Sequence, residues 1–108
     1  MENNILRNKI KQYLIELGFN PSLKGFKFWT TAILYAVIQE KNNEEMMKFT
    51  ELYKFVGKCH KATASKVERD MRYILEKINL DDIFGTNYSI TNSAFLFISQ
   101  EKILSDVS

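Results

Sequence analysis

The sequence predicts an all-α fold, a compact bundle of about six helices. Apolar residues return every three or four positions along most of the chain, and only four Gly and one Pro interrupt 108 residues. Hydrophobic residues make up 45% of the sequence, which is ample for one core at this length. We therefore expect residues 1–108 to form a single domain.

The first two helices are bounded by turn-forming residues. Apolar side chains recur over residues 5–17, and Gly18 can adopt the left-handed conformation that ends a helix. A turn follows at Pro21, with Ser22 as the expected cap of the next helix. That second helix, over residues 23–40, is apolar around most of its circumference, so we expect it at the centre of the bundle.

Two further helices are expected to be neighbours in space. Asn42 and Asn43 are candidate caps for a third helix over residues 44–60. Only five residues separate Cys59 from Ser65, near which a fourth helix begins. Two helices joined by so short a connection have the spacing of a helix-turn-helix.

The fourth helix, over residues 65–78, carries the clearest signals in the sequence. Ser65 and Glu68 fit a capping box, while Thr63 is a competing cap two residues earlier. One face of the helix is apolar and consists of Val67, Met71, Ile74, Leu75 and Ile78. The opposite face consists of Lys66, Glu68, Arg69, Arg72 and Tyr73. This separation predicts a helix that is packed on one side and exposed on the other.

The last part of the chain predicts a short turn, a loop and a final helix. Residues 80–85 form the turn and residues 86–88 the loop, and either Thr91 or Ser93 can cap the helix that follows. Four apolar residues of this helix are expected to be buried: Phe95, Leu96, Ile98 and Ile103.

Positive charge is concentrated on the fourth helix and the segment before it. The whole chain has a net charge of +2, but residues 54–77 hold seven Lys or Arg and three acids, a net charge of +4. A basic helix of this kind is typical of nucleic-acid binding. The single cysteine, the lack of a secretory signal and the lack of a run of about 20 apolar residues indicate a soluble, cytoplasmic protein without a membrane segment.

No cluster in the sequence predicts an enzyme, a metal site or a cofactor. Cys59 and His60 lack the further Cys or His residues that a zinc site or a cysteine nucleophile requires. We expect Cys59 to be packed, and His60 either to end the third helix or to reach DNA. The aromatic run at residues 26–29 predicts core packing rather than base stacking, although Lys24 and Lys27 remain candidates for phosphate contacts.

Three segments together resemble one known family. Residues 63–69, Thr-Ala-Ser-Lys-Val-Glu-Arg, are followed by the run Met-Arg-Tyr at residues 71–73 and are the most specific segment. Residues 17–26 combine Leu-Gly, a proline and the step Leu-Lys-Gly-Phe, and residues 91–95 read Thr-Asn-Ser-Ala-Phe. They resemble, in order, the recognition helix, the opening and the final helix of the C-terminal effector domain of stage zero sporulation protein A, a bacterial response regulator.

The resemblance implies an all-helical bundle whose recognition helix enters the DNA major groove, with copies side by side on repeated DNA boxes. It implies a sequence-specific transcription regulator on double-stranded DNA, linked to sporulation, with self-association on adjacent sites and RNA polymerase as candidate partners. It also implies that Lys66, Glu68 and Arg69 read bases and that Arg72 contacts phosphate. The candidate DNA-binding residues are Lys61, Thr63, Ser65, Lys66, Glu68, Arg69, Arg72 and Tyr73.

The chain also departs from the family pattern. Lys66 stands where the family usually has Arg, and a Lys ammonium lacks the planar fork that Arg presents to guanine. Asp70 replaces a small residue and would be repelled by phosphate unless it pairs with Lys66 or turns away. The stretch at residues 80–90 is shorter than in the family, and we expect no receiver domain before the first helix.

These departures motivate an alternative hypothesis. The chain would then be a stand-alone protein-interaction module that modulates a full-length sporulation regulator without strong DNA binding. DNA binding predicts an affinity that falls with added salt and with Arg69→Ala, whereas the interaction hypothesis predicts a stable complex with another protein.

Overall fold

Residues 2–107, which the computed structural model describes, form six α-helices and no strand. In chain order these are α1 (Glu2–Glu16), α2 (Lys24–Lys41), α3 (Phe49–His60), α4 (Ala64–Glu76), α5 (Leu80–Phe84) and α6 (Asn92–Val107). The predicted all-α class is therefore confirmed. Within the same residues, no helix is both long enough and apolar enough to cross a membrane.

The core is built around α2, which contacts α1, α3, α4 and α6. Six of its apolar side chains are at most 1% exposed: Phe28, Trp29, Ala32, Ile33, Ala36 and Val37. A helix that is apolar on nearly every side needs neighbours on every side, which explains the central position predicted from the sequence. Gln100 Nε2 of α6 donates a buried hydrogen bond to the Ala36 carbonyl oxygen at 2.8 Å, so this polar group is paired inside the core.

The final helix is anchored through Phe95, which is fully buried. Its ring centroid lies 4.9 Å from that of Trp29, with the rings edge to face, and 5.4 Å from that of Phe19. Aromatic pairs of this kind contribute about 0.5–1.5 kcal/mol each beyond their buried area. The start of α6 follows the prediction, because Thr91 Oγ1 accepts a hydrogen bond from the Ala94 amide at 3.1 Å.

The third helix is shorter than predicted, because α3 begins at Phe49 and not near residue 44. Asn43 adopts a left-handed φ of 56°, and Gln39 Nε2 of α2 donates a hydrogen bond to the Glu45 carbonyl oxygen at 3.1 Å. The segment after Asn42, which was predicted to begin α3, therefore packs against the end of α2. Asn42 is the C-cap of α2, so the prediction that it caps α3 is wrong.

Smaller differences concern a cap, a boundary and one core residue. The Ser22 amide and hydroxyl both donate to Asn20 Oδ1, at 2.9 and 2.8 Å, so Ser22 closes a local turn and does not cap α2. Gly18 has a φ of 103° and ends the first helix as predicted, although α1 starts earlier than expected. Ile98 is half-buried, and not fully buried, because it lines a surface cleft beside Leu17.

Candidate nucleic-acid interface

A three-residue turn joins α3 to α4. Lys61 adopts the left-handed conformation, with φ 57° and ψ 47°, and the Ala62 amide donates to the Gly57 carbonyl oxygen at 2.9 Å. A Cβ atom at Gly57 would collide with the Ala62 carbonyl oxygen, so the turn requires glycine at this place. The connection length and the order of the helices are consistent with the predicted helix-turn-helix.

Thr63 caps the start of α4. Its Oγ1 accepts a hydrogen bond from the Lys66 amide at 3.2 Å, three residues into the helix. The capping box predicted at Ser65 and Glu68 is wrong, because Ser65 already lies inside the helix. Glu68 is instead held by Arg72, whose Nε donates to Glu68 Oε2 at 3.1 Å.

The apolar face of α4 is packed as predicted. Val67 and Met71 are fully buried, Ile74 and Leu75 are at most 6% exposed, and Ile78, beyond the end of the helix, is half-buried. Burial of these side chains holds α4 against α2 and α3, the helices with which it makes most of its contacts. The opposite side of the helix is left to solvent.

Two contacts from α2 fix the position of α4 more closely than apolar burial alone. Trp29 Nε1 donates a buried hydrogen bond to the Met71 carbonyl oxygen at 2.9 Å. One turn earlier, a Cβ atom at Gly25 would overlap the Asp70 carbonyl oxygen and would lie 2.8 Å from Ile74 Cγ2. The backbones of the two helices therefore touch at Gly25, which explains why a helix-weakening residue stands there.

The predicted DNA-binding residues lie on or beside the exposed side of α4. Six are exposed, namely Lys61, Thr63, Ser65, Arg69, Arg72 and Tyr73, and Lys66 and Glu68 are partly buried. At about 3.6 residues per turn, Arg69 lies nearly opposite the middle of the buried face. Tyr73 is 49% exposed, and Lys77 Nζ lies 4.9 Å from its ring centroid.

Most of the charge on this exposed face is paired within the helix. Lys66 Nζ lies 3.2 Å from Asp70 Oδ2, and Arg72 bridges Glu68 and Glu76 at 3.1 and 3.4 Å. The Glu68 hydrogen bond and charge, followed by those of Glu76, raise the pKa of Arg72. Asp70 therefore pairs with Lys66, which was one of the two arrangements that the sequence left open.

Arg69 differs from the other cations of α4. Its side chain is exposed and makes no ion pair or hydrogen bond with any other residue in the described range 2–107. The i, i+4 spacing of the paired residues was visible in the sequence, so this pattern of paired and unpaired charge was predictable. Arg69 is thus the cation of α4 whose charge is not paired within residues 2–107.

The Cys-His pair lies at the end of α3. Cys59 is exposed, so the prediction that it is packed is wrong. His60 ends α3, as one of the two predictions had it, and its Nε2 lies 2.7 Å from Thr31 Oγ1, with its ring edge-on to Phe28. Among residues 2–107, no group of three or more His, Cys, Asp or Glu residues could hold a metal ion.

Fold and site together define an all-helical domain that presents a charged helix after a tight turn, an arrangement typical of DNA-binding domains. Residues 10–103 match the protein family described as Sporulation initiation factor Spo0A C terminal. The chain therefore belongs to this family, and the resemblance predicted from the sequence is confirmed. No solved structure matches the chain. The family is the DNA-binding effector domain of a sporulation response regulator and not an enzyme family, which supports sporulation-linked DNA binding as the general function.

Proposed function

We propose that the chain is a sequence-specific transcriptional regulator of sporulation that inserts α4 in the major groove of double-stranded DNA. The observation that supports this most strongly is the asymmetry of α4. Its inner side is held by Trp29 and Gly25, while Arg69 stands exposed and unpaired on its outer side. A helix held rigidly from behind can present its side chains to base edges in a defined register.

The residues of α4 would divide the work of recognition. Arg69 would donate to guanine, and Glu68 would accept from the cytosine amino group. Lys66 would read bases once it exchanges Asp70 for the duplex. The Asp70 side chain is only 19% exposed, so this exchange would carry a cost that the contacts to DNA must exceed.

The remaining candidate residues would fix the position of the domain on the duplex. Arg72 would exchange its carboxylate partners for a phosphate, and Lys61, Thr63, Ser65 and Tyr73 would contact the sugar-phosphate backbone near it. Copies on adjacent DNA boxes would raise one another's effective concentration, and RNA polymerase is the candidate partner downstream of binding.

Fluorescence anisotropy tests this proposal with a duplex that carries the family's DNA box and with a scrambled duplex, at low and at physiological salt. We expect the box to bind more tightly and the preference to disappear in Arg69→Ala. Lys9→Ala is the matched control, because it removes one exposed cation from α1 and should keep the preference. Equal binding of the two duplexes, or no binding of either, would contradict the proposal.

One observation favours the alternative, a protein-interaction module that modulates a full-length sporulation regulator. A cleft of about 860 Å³ lies between α4 and the segment before α6, and Asn92 Oδ1 at its edge is buried without a hydrogen-bond partner in the described part of the chain. A concave surface of this size could receive an anchoring side chain of a protein partner. Co-elution of the two purified proteins in the absence of DNA, with no response to the DNA box, is the result that this alternative predicts.

A further inference from the structure

A second positively charged surface lies between α1, α2 and the end of α3. It is a cleft of about 490 Å³. Apart from the hydroxyl of Thr30, its polar side chains are those of Arg7, Lys11, Lys27 and His60. Neither Asp nor Glu is among the residues that line it. We call these four residues the basic cleft.

The cations of the basic cleft are not neutralised by the protein. Arg7, Lys11 and Lys27 make no ion pair with an acid anywhere in residues 2–107. Arg7 and Lys11 are also one helical turn apart on α1, a spacing at which two like charges repel. Lys27 Nζ lies 5.7 Å from the ring centroid of Phe28, a contact that leaves its charge without an acidic partner.

Two cations of the basic cleft lie close enough to His60 to act on its charge. Burial lowers the pKa of His60, and the charges of Lys27 and Arg7 lower it further. The side chain is held in place by Thr31 Oγ1, 2.7 Å from its Nε2. A concave surface lined by charge of one sign concentrates the electrostatic field and attracts ions of the opposite sign.

The basic cleft is a different surface from the exposed side of α4. Gly25 faces α4, whereas Lys27, two residues further along α2, points to another side of that helix. The ligand of the cleft therefore does not have to be the base pairs that α4 would read.

We propose that the basic cleft binds a phosphate group. Arg and Lys are the usual phosphate ligands, since a guanidinium can bond two phosphate oxygens and an ammonium adds a point charge. The volume of the cleft is in the range of small-molecule sites, so a small phosphorylated molecule can supply the group, as can the backbone of a nucleic acid.

The test uses His60, the single histidine of the chain, as a local probe. The pKa of its ring is followed by NMR during titration with pyrophosphate and, separately, with NaCl at the same ionic strength. A bound phosphate compensates Arg7 and Lys27, so we expect pyrophosphate to raise the pKa of His60 in a saturable way that NaCl does not reproduce. An equal response to both salts would overturn the proposal.

Two double variants show whether the response comes from the cleft. Arg7→Gln with Lys27→Gln should raise the pKa of His60 before any ligand is added and should abolish the response to pyrophosphate. Lys9→Gln with Lys41→Gln removes the same charge from exposed positions of the same two helices and should leave the response intact. Loss of the response in both double variants would mean that net charge alone acts, and the proposal would fail.

The source of the phosphate is found by repeating the titration with duplex DNA in the wild type and in Arg69→Ala. If only the wild type responds to the duplex, the phosphate comes from DNA that α4 holds. A response to pyrophosphate, without one to DNA, indicates a small phosphorylated ligand. Because the pyrophosphate experiment does not involve α4, the basic cleft can be confirmed even if the DNA-binding proposal fails.

Discussion

The exposed side of α4 and the basic cleft both carry cations. Acids that pair with these cations are present on α4 but not among the residues that line the basic cleft. On α4, Lys66 pairs with Asp70, and Arg72 bridges Glu68 and Glu76. In the basic cleft, three cations from α1 and α2 make no ion pair within residues 2–107, and no Asp or Glu lines the cleft. Net charge along a sequence therefore does not locate unpaired cations. Residues 54–77 have a net charge of +4 but contain the paired charges of α4, whereas Arg7, Lys11 and Lys27 come from the rest of the chain, which is negative.

The close backbone contact between α2 and α4 at Gly25 should be the most sensitive of these features to substitution. In Gly25→Ala, the new methyl group would meet the Asp70 carbonyl oxygen and Ile74, so α4 must move or the core must open. We expect the free energy of unfolding in urea to fall by about 2 kcal/mol or more, as overpacking of a tight contact does. The response of His60 to pyrophosphate should survive in the folded variant, since the basic cleft lies elsewhere on α2.

Lys24→Ala is the control for this variant, because Lys24 is the exposed neighbour of Gly25 and its removal should leave stability within about 0.5 kcal/mol of the wild type. If Gly25→Ala were as stable as Lys24→Ala, the close backbone contact between α2 and α4 would be contradicted.

Much of α4 could be predicted from the sequence because its signals are local. The spacing of Val67, Met71 and Ile74 gives the buried face without knowledge of any other helix. The wrong start of α3 has a different cause, since the acids after Asn43 favour a helix start but the Gln39 side chain holds that backbone in another conformation. The hydrogen bond from Gln39 to the Glu45 carbonyl oxygen depends on how α2 ends, and local helix propensity does not predict such a bond.

The basic cleft was not predictable in the same way. Its residues are separated by up to 53 positions in the chain, and only the packing of α1, α2 and α3 brings them together. The one local signal was the pair Arg7 and Lys11, which a helix places on the same face. Lys27 was noted as a candidate phosphate ligand, but nothing in the sequence joined it to α1 or to His60.

Removing an acid from α4 tests whether its ion pairs limit DNA binding. Asp70→Asn frees Lys66, so the exposed side of α4 should carry a second unpaired cation beside Arg69, as the basic cleft carries several. We expect tighter binding to both box and scrambled duplexes and a salt dependence that is steeper by about one phosphate contact. Anisotropy titrations over a range of salt concentrations measure both quantities.

Asp106→Asn is the matched control for this experiment. It breaks the ion pair of Lys102 and Asp106, which has the same i, i+4 spacing and the same change of charge but lies on α6. It should leave the salt dependence unchanged. If both variants steepened the salt dependence equally, the change would reflect net charge and not the pairing on α4.

Protonation of His60 in the basic cleft should give the free energy of unfolding a weak dependence on pH. Burial, Lys27 and Arg7 lower the pKa of His60 in the folded state, so below pH 6.5 the unfolded chain binds more protons at this residue than the folded one. Stability should therefore be lost as the pH falls through 6.5 toward the folded pKa. In His60→Gln this component should be absent, while the carboxylates titrate as before. Urea midpoints of the wild type and of His60→Gln at about pH 7.5 and 5.5 test this difference. The difference will be small, because His60 is only partly buried. An identical pH dependence in the two proteins would contradict the lowered pKa of His60.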